Sequence, residues 1–274
     1  MSRALAGLIV SLLLPLPLGL DGIVNPLVNG NQVTAGISLP GGLTADLTLT
    51  FEQVQNLSIQ NLGLSAQVVN LLDPTLLSRL GGIAQIPTAF PVLLRIEPPA
   101  AGGLTFHGVV SIELHTHNLL YVPNTPLRLF AAPLGGAFRD ITVYDGSGSY
   151  RCRGTKGDFS EFLIVADLRS VDTVINDKLD RLEQTLNDNA GAITPSVRST
   201  LTTILGEIRS SWAAGDILRA VAADEVFLDT VQSHSGTDIP DVWQAGGALV
   251  NTAGRLRAAA ATLRFSLALK GGLP

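Results

Sequence analysis

The stretch with most chemical potential is Glu113-Leu-His-Thr-His117. On an extended strand, residues two apart share a face, so Glu113, His115 and His117 point one way and Leu114 the other. Two imidazoles and a carboxylate on one face are the donor types that hold a divalent ion such as zinc. A closed site also needs a ligand from an adjacent strand, and no neighbouring residue in the sequence supplies it. His107 has the right parity but sits too far along a continuous strand to reach the same ion, and His234 falls in a distant segment. A solvated strand face would use the same polar residues simply to stay wetted. Metal binding is therefore one reading of this face and plain solvation the other.

Other reactive side chains lack the context that chemistry requires. Cys152 is the only cysteine, so the chain forms no internal disulfide. In Tyr150-Arg-Cys-Arg-Gly154, alternation puts Tyr150 and Cys152 on one face and Arg151 and Arg153 on the other, which describes a small buried thiol. Gly102-Gly103 and Gly135-Gly136 lack the strand-to-helix spacing of a phosphate loop and read as turns. Ser147-Gly-Ser149 and Ser233-His-Ser235 sit in no nucleophile elbow. No catalytic residue and no cofactor is expected.

The elements that must carry these residues change character near Leu168. From about Val24 to Leu168, short alternating runs are separated by Gly, Pro and Asn, the pattern of an antiparallel β-sandwich of eight to ten strands. Leu43 to Phe51 alternates cleanly, with Leu47, Leu49 and Phe51 on one face and Thr44, Asp46 and Thr48 on the other. Phe159 and Phe162 cannot both be buried by strict alternation. Either a bulge shifts the register or Phe159 precedes the strand and plugs the end of the sandwich, with Phe162 in the core in both cases.

Four pieces of this half resemble the netrin-receptor and zonula-occludens type of immunoglobulin-like sandwich. They are Ile37-Ser-Leu-Pro-Gly-Gly-Leu43, Ile96-Glu-Pro-Pro99 leading to Leu104-Thr-Phe106, Pro126-Leu-Arg-Leu-Phe130 with Phe138-Arg-Asp-Ile141, and Phe159-Ser-Glu-Phe-Leu-Ile-Val165. The resemblance implies a structural or interaction module rather than an enzyme.

Beyond Leu168 the apolar period becomes helical. Val171, Val174, Ile175, Leu179, Leu182 and Leu186 form one stripe, and Thr194-Pro195 opens a second helix. Gly215-Asp216 starts a third, which Gly236 ends. Asp238-Ile-Pro240 opens a last segment whose helical stripe is Trp243, Val250, Leu256, Leu263 and Leu267. Short loops between four amphipathic helices predict an antiparallel bundle over 169–274. The Gly-Asp helix with Phe227-Leu228 and the Ala-rich helix after Ile239-Pro240 are similar to the FIMAH type of helical module. The fold class expected is thus α+β multidomain, with the sandwich over 23–168 followed by the bundle.

Arg3, the apolar run from Ala4 to Leu14 and the prolines at 15 and 17 have the order of a cleavable signal peptide ending near Gly22. The mature chain is then expected in the periplasm or secreted. Its mean hydropathy of +0.35 would suit a membrane protein, but after the N-terminus no apolar run reaches spanning length without a charge. With 18 basic and 23 acidic residues, the chain lacks the basic footprint that nucleic-acid binding needs. The whole chain also resembles a group of exported proteobacterial proteins to which no activity is attached. What these readings predict together is a non-catalytic envelope or secreted module that meets another protein or a surface glycan. A metal-binding protein using Glu113, His115 and His117, or a carbohydrate-binding module, is the alternative.

Overall fold

Alternating residues need a partner strand for their backbone and a second layer for their apolar face, and the first half of the chain supplies both. The computed structural model describes residues 22–82 and 84–273. The export pattern therefore lies, apart from its terminal Gly22, outside the described residues. The chain opens with strands β1 (Ile23–Asn29), β2 (Gln32–Leu39) and β3 (Leu43–Gln55), a short helix α1 (Ile59–Leu62) and β4 (Leu64–Val68). Helix α2 (Pro74–Arg79) leads to β5 (Ala84–Gln85), β6 (Val92–Ile96) and the long β7 (Thr105–Thr116). There follow β8 (Leu127–Ala132), β9 (Arg139–Asp140), β10 (Thr142–Gly146), β11 (Tyr150–Lys156) and β12 (Glu161–Asp167). The rest comprises helices α3 (Val171–Asp188), α4 (Pro195–Ala213) and α5 (Ile217–Ser233), strand β13 (Val242–Gln244) and helix α6 (Thr252–Gly271).

The strands form two antiparallel sheets. One runs β1-β2-β3-β7-β11-β10, with β13 also paired to β7, and the other runs β4-β6-β12-β8-β9, with β5 on β12. Their facing sides share a single core, to which Leu47, Leu49, Phe51, Ile112 and Tyr150 come from the first sheet and Leu94, Leu129, Phe162 and Ile164 from the second. The second sheet is buried on its far side as well, where Leu93, Phe130, Leu163 and Val165 meet Leu76 and Leu80 of the α2 region. That explains why β12 is apolar almost throughout instead of alternating. Phe162 is fully buried, while Phe159 precedes the strand and packs edge-on against Phe51 and Phe106. Of the two arrangements open in the sequence, it is the plug that forms.

The four long helices build a second core from Leu179, Leu182, Leu201, Ile208, Phe227, Leu256 and Leu263. The last segment departs from the helix expected to begin near Asp238. Residues 242–244 are a strand, Gly246 turns the chain at a φ of 66°, and the helix starts only at Thr252. The stripe through Trp243 was a false period: Trp243 lies opposite Phe106 in β7 and stacks on it at 5.3 Å between ring centroids. The sheet had an unsatisfied stretch of β7 to offer, and backbone pairing plus an aromatic stack outweighed the helical spacing.

Where α6 begins, the helices are fastened to the sheets. The fully buried Asn251 caps α6 by accepting from the Gly254 amide at 2.8 Å, and its Nδ2 donates to the Gly108 carbonyl at 2.6 Å and the Gly157 carbonyl at 3.1 Å. Gly254 comes so close that a Cβ on it would stand 2.2 Å from the Gly108 oxygen. Farther along, Lys178 of α3 reaches the buried Asp140 of β9 at 2.6 Å and also donates to Thr262 and Ser266 of α6. Burial lowers the Lys178 pKa, while the lysine's charge and hydrogen bond hold the Asp140 carboxyl down against its own burial. The pair is costly to desolvate, and its geometry ties three elements together.

Candidate metal centre

β7 alternates along its whole length, burying Ile112, Leu114 and Thr116 and turning Ser111, Glu113 and His115 outward. Its flanking strands set what surrounds those outward residues. On one side β3 places Asp46 directly opposite His115 and Thr48 opposite Glu113; on the other, β11 places Arg151 opposite His115 and Arg153 opposite Glu113. Residues opposite one another in an antiparallel pair have Cβ atoms about 5 Å apart, within reach of these side chains.

Glu113 does not join the histidines. Its carboxylate is bound by Arg151 and, at 2.8 Å, by Arg153. Burial acts to raise the Glu113 pKa, but the hydrogen bonds and charges of Arg153 and Arg151 win and hold it below the ordinary carboxylate value. Glu113 is thus a fixed anion whose oxygens are occupied by guanidinium groups.

His115 and His117 do come together, with ring centroids 4.7 Å apart, and the third group is Asp46. One ligand atom from each of Asp46, His115 and His117 lies within 4.8 Å of the others. Donors about 2.1 Å from a tetrahedral ion stand about 3.4 Å apart, and the distance from His115 Nδ1 to Asp46 Oδ2 is already 3.5 Å. The other nitrogen of His115, Nε2, lies 2.7 Å from the Gly148 carbonyl oxygen. A carbonyl can only accept, so Nε2 carries the proton and Nδ1 keeps its lone pair on the Asp46 side. A backbone carbonyl fixing the far nitrogen is the usual support for a metal-ligating imidazole. His117 is exposed at the strand end, with Nδ1 3.2 Å from the Ser149 hydroxyl. Arg151 competes for the site, since its Nη2 lies 3.3 Å from His115 Nδ1. An incoming ion must displace that nitrogen, while Glu113 keeps hold of the same guanidinium through the other.

Asp46 was legible as an outward residue of its strand but not as a ligand, because the register that sets it opposite His115 is a long-range pairing. His107 bonds Asp241 at 3.3 Å and His234 bonds Asp238 at 2.7 Å, so neither approaches the centre. Cys152 is fully buried with Tyr150, and burial pushes its thiol far above its ordinary pKa, which leaves it an inert apolar side chain.

A family match spans residues 20–270, which takes in both sheets and all four long helices. The chain belongs to DUF6689, a family of unknown function. No curated protein matches it, and no solved structure does. Because the DUF6689 match runs continuously through β13 and α6, the family takes in the sheets and the helices together. Among the described residues no helix is long and apolar enough to cross a membrane.

Proposed function

We propose that this chain is an exported, non-catalytic binding module that takes up a divalent transition-metal ion, zinc in the first instance, between Asp46, His115 and His117. The observation that carries the reading is the His115 ring: Gly148 holds its Nε2 proton and leaves Nδ1 3.5 Å from the Asp46 carboxylate. Two imidazoles and one carboxylate are a borderline-soft donor set that suits zinc over calcium or magnesium. The ligands lie on the open outer face of a sheet, so the ion is suited to bridging this face to another protein or a surface glycan. Export rests on the order of charged, apolar and helix-breaking residues between Met1 and Gly22. The immunoglobulin-like reading of the two sheets, with its netrin-receptor likeness, and the FIMAH-type reading of the helices belong to the same proposal.

Calorimetry with zinc on protein purified without chelator tests it. One ion per chain is expected, with binding lost in His115→Ala and in Asp46→Asn. Arg151→Met should tighten binding, because it removes the cation that occupies the His115 lone pair. A chain that takes up no zinc, or takes it up equally well in His115→Ala, overturns the metal reading. Fractionation of the native host tests export, and full-length protein in the cytosol overturns it.

A further inference from the structure

A second site lies at the Lys156 end of β11, in the seam between the sheets and the helices. A cavity of about 580 Å³ opens there, lined from four directions by Arg139 of β9, Lys156 of β11, Arg181 of α3 and Arg255 of α6. Its acidic lining is Asp158 and Asp188. Asp158 is engaged by Lys156 at 2.7 Å and Arg255 at 3.1 Å, which hold its carboxyl below the ordinary value in spite of its burial. Arg139 and Arg181 are different: among the described residues neither makes a hydrogen bond or an ion pair through its side chain. Burial and the nearby charge of Arg139 press the Arg181 pKa down and outweigh the opposing charges of Asp158 and Asp140, so a guanidinium without a bonded partner stands beside a second one. Thr155 lines the same cavity, and among the described residues its buried hydroxyl has no hydrogen-bond partner.

Arg181, half-buried and unpaired with the like charge of the exposed Arg139 beside it, is costly to keep unless an anion completes it. A guanidinium pair presents planar, forked donors that match the oxygens of a phosphate or carboxylate, with a hydroxyl donor beside them. The cavity exceeds a bare ion and falls within the range of small-molecule sites. Ile141, Val250 and Ala259 supply apolar wall for an organic body. From this we infer that the seam binds a small organic oxyanion, a phosphate ester or a carboxylate, with Arg139 and Arg181 as its anchors. Because sheet strands and helices both contribute, such a ligand would also brace the two halves against each other.

Thermal unfolding and calorimetry of the full chain with inorganic phosphate, and separately with citrate, test the inference; sodium chloride at matched ionic strength is the control. A saturable rise in Tm with phosphate or citrate, absent with chloride, is expected, and the preferred anion tells which oxyanion the cleft takes. Arg139→Gln and Arg181→Gln should each weaken the apparent affinity about tenfold or more, the cost of losing a charged hydrogen-bond donor. Arg198→Gln, a change to a helical arginine outside the cavity, should leave it unchanged. If Arg181→Gln does not fold, Arg139→Gln decides alone, since that side chain is exposed and, among the described residues, makes no bond. No rise beyond that of chloride, or an equal loss in Arg198→Gln, overturns the inference.

Discussion

At its Thr105 end β7 is covered, and at its Thr116 end it is open. At the covered end β13 pairs with Thr105–His107, Trp243 stacks on Phe106, and Asn251 takes the Gly108 carbonyl as part of the cap of α6. At the open end Glu113 and His115 stand in cross-strand rows of polar residues, with Thr48 and Asp46 on one side and Arg153 and Arg151 on the other. The same period of two runs through both ends. Strand alternation decides which face a residue takes; what lies over that face is decided by elements far away in sequence, here residues 242–257. The inward face is buried at both ends, so the ends differ in what distant elements add: β13 and the start of α6 engage the covered end, and His115 and His117 at the open end are left within reach of a ligand.

The sharpest way to break this contrast is at Phe106. It is fully buried between Phe51, Phe159 and Trp243. Phe106→Ala should destabilise the chain by about 3–5 kcal/mol, read as a fall in the denaturant midpoint. A loss below about 1 kcal/mol would mean that the aromatic cluster does not hold the covered end together.

Asn251→Ala should come next, at about 2–3 kcal/mol. It removes a helix cap and leaves the carbonyls of Gly108 and Gly157 without their buried donor. In a background carrying Trp212→Phe in α4, the loss should appear in the helical signal and in Trp243 fluorescence together, because both sides of the seam depend on it. If the helices melt while the environment of Trp243 stays intact, the fastening is weaker than its hydrogen bonds imply.

The two kinds of environment also titrate in opposite senses. Glu113, held low by its arginines, gives stability that is complete above the ordinary carboxylate pKa and is lost as pH falls through its lowered folded value. Glu113→Gln should therefore cost about 1 kcal/mol at neutral pH, limited by solvent at that face, and nothing in acid. Asp224 of α5 is fully buried, among the described residues neither of its oxygens is bonded, and burial raises its pKa well above the ordinary value. The folded chain binds that proton more tightly than the unfolded one, so the penalty is absent in acid and grows as pH rises above the ordinary carboxylate range. Asp224→Asn should accordingly stabilise the chain at neutral pH and not in acid. Parallel pH profiles for the two variants would contradict both assignments.

Much of this organisation was legible because it is local. The alternation from Leu43 to Phe51, the buried thiol at Cys152 and the helices after Ser170, Thr194 and Asp216 follow from neighbours in the chain. The same logic failed where two periods compete. Trp243 to Leu267 fits a helical stripe, yet Val242–Gln244 is a strand, because an edge of β7 was waiting for it. It also fell short at the metal centre, where the carboxylate two residues before His115 was the natural choice of ligand. The register supplied two arginines for Glu113 and placed Asp46, far back in the chain, beside the imidazole instead. Neither cross-strand register nor the covering of a face can be computed from a strand's own residues.

The smallest expected effect is the most selective. His117 is exposed at the open end, and among the described residues its side chain bonds Ser149 and stands edge-on to His115, so His117→Ala should change stability by no more than about 0.5 kcal/mol in metal-free protein. An ion that binds only the folded chain stabilises it by about 2.7 kcal/mol at a hundredfold excess over Kd. With zinc at that level the unaltered chain should therefore gain a clear rise in Tm, and His117→Ala, short of one of three ligands, should lose most of it. Phe106→Ala supplies the contrast: it starts far lower but keeps Asp46, His115 and His117, so at a temperature where it is folded it should still respond to zinc. The two variants then separate holding the fold from holding the ion. If His117→Ala keeps the full zinc response, the imidazole is not a ligand and the open face is solvated only; if it is strongly destabilised without zinc, the open end carries structural weight and the contrast along β7 fails.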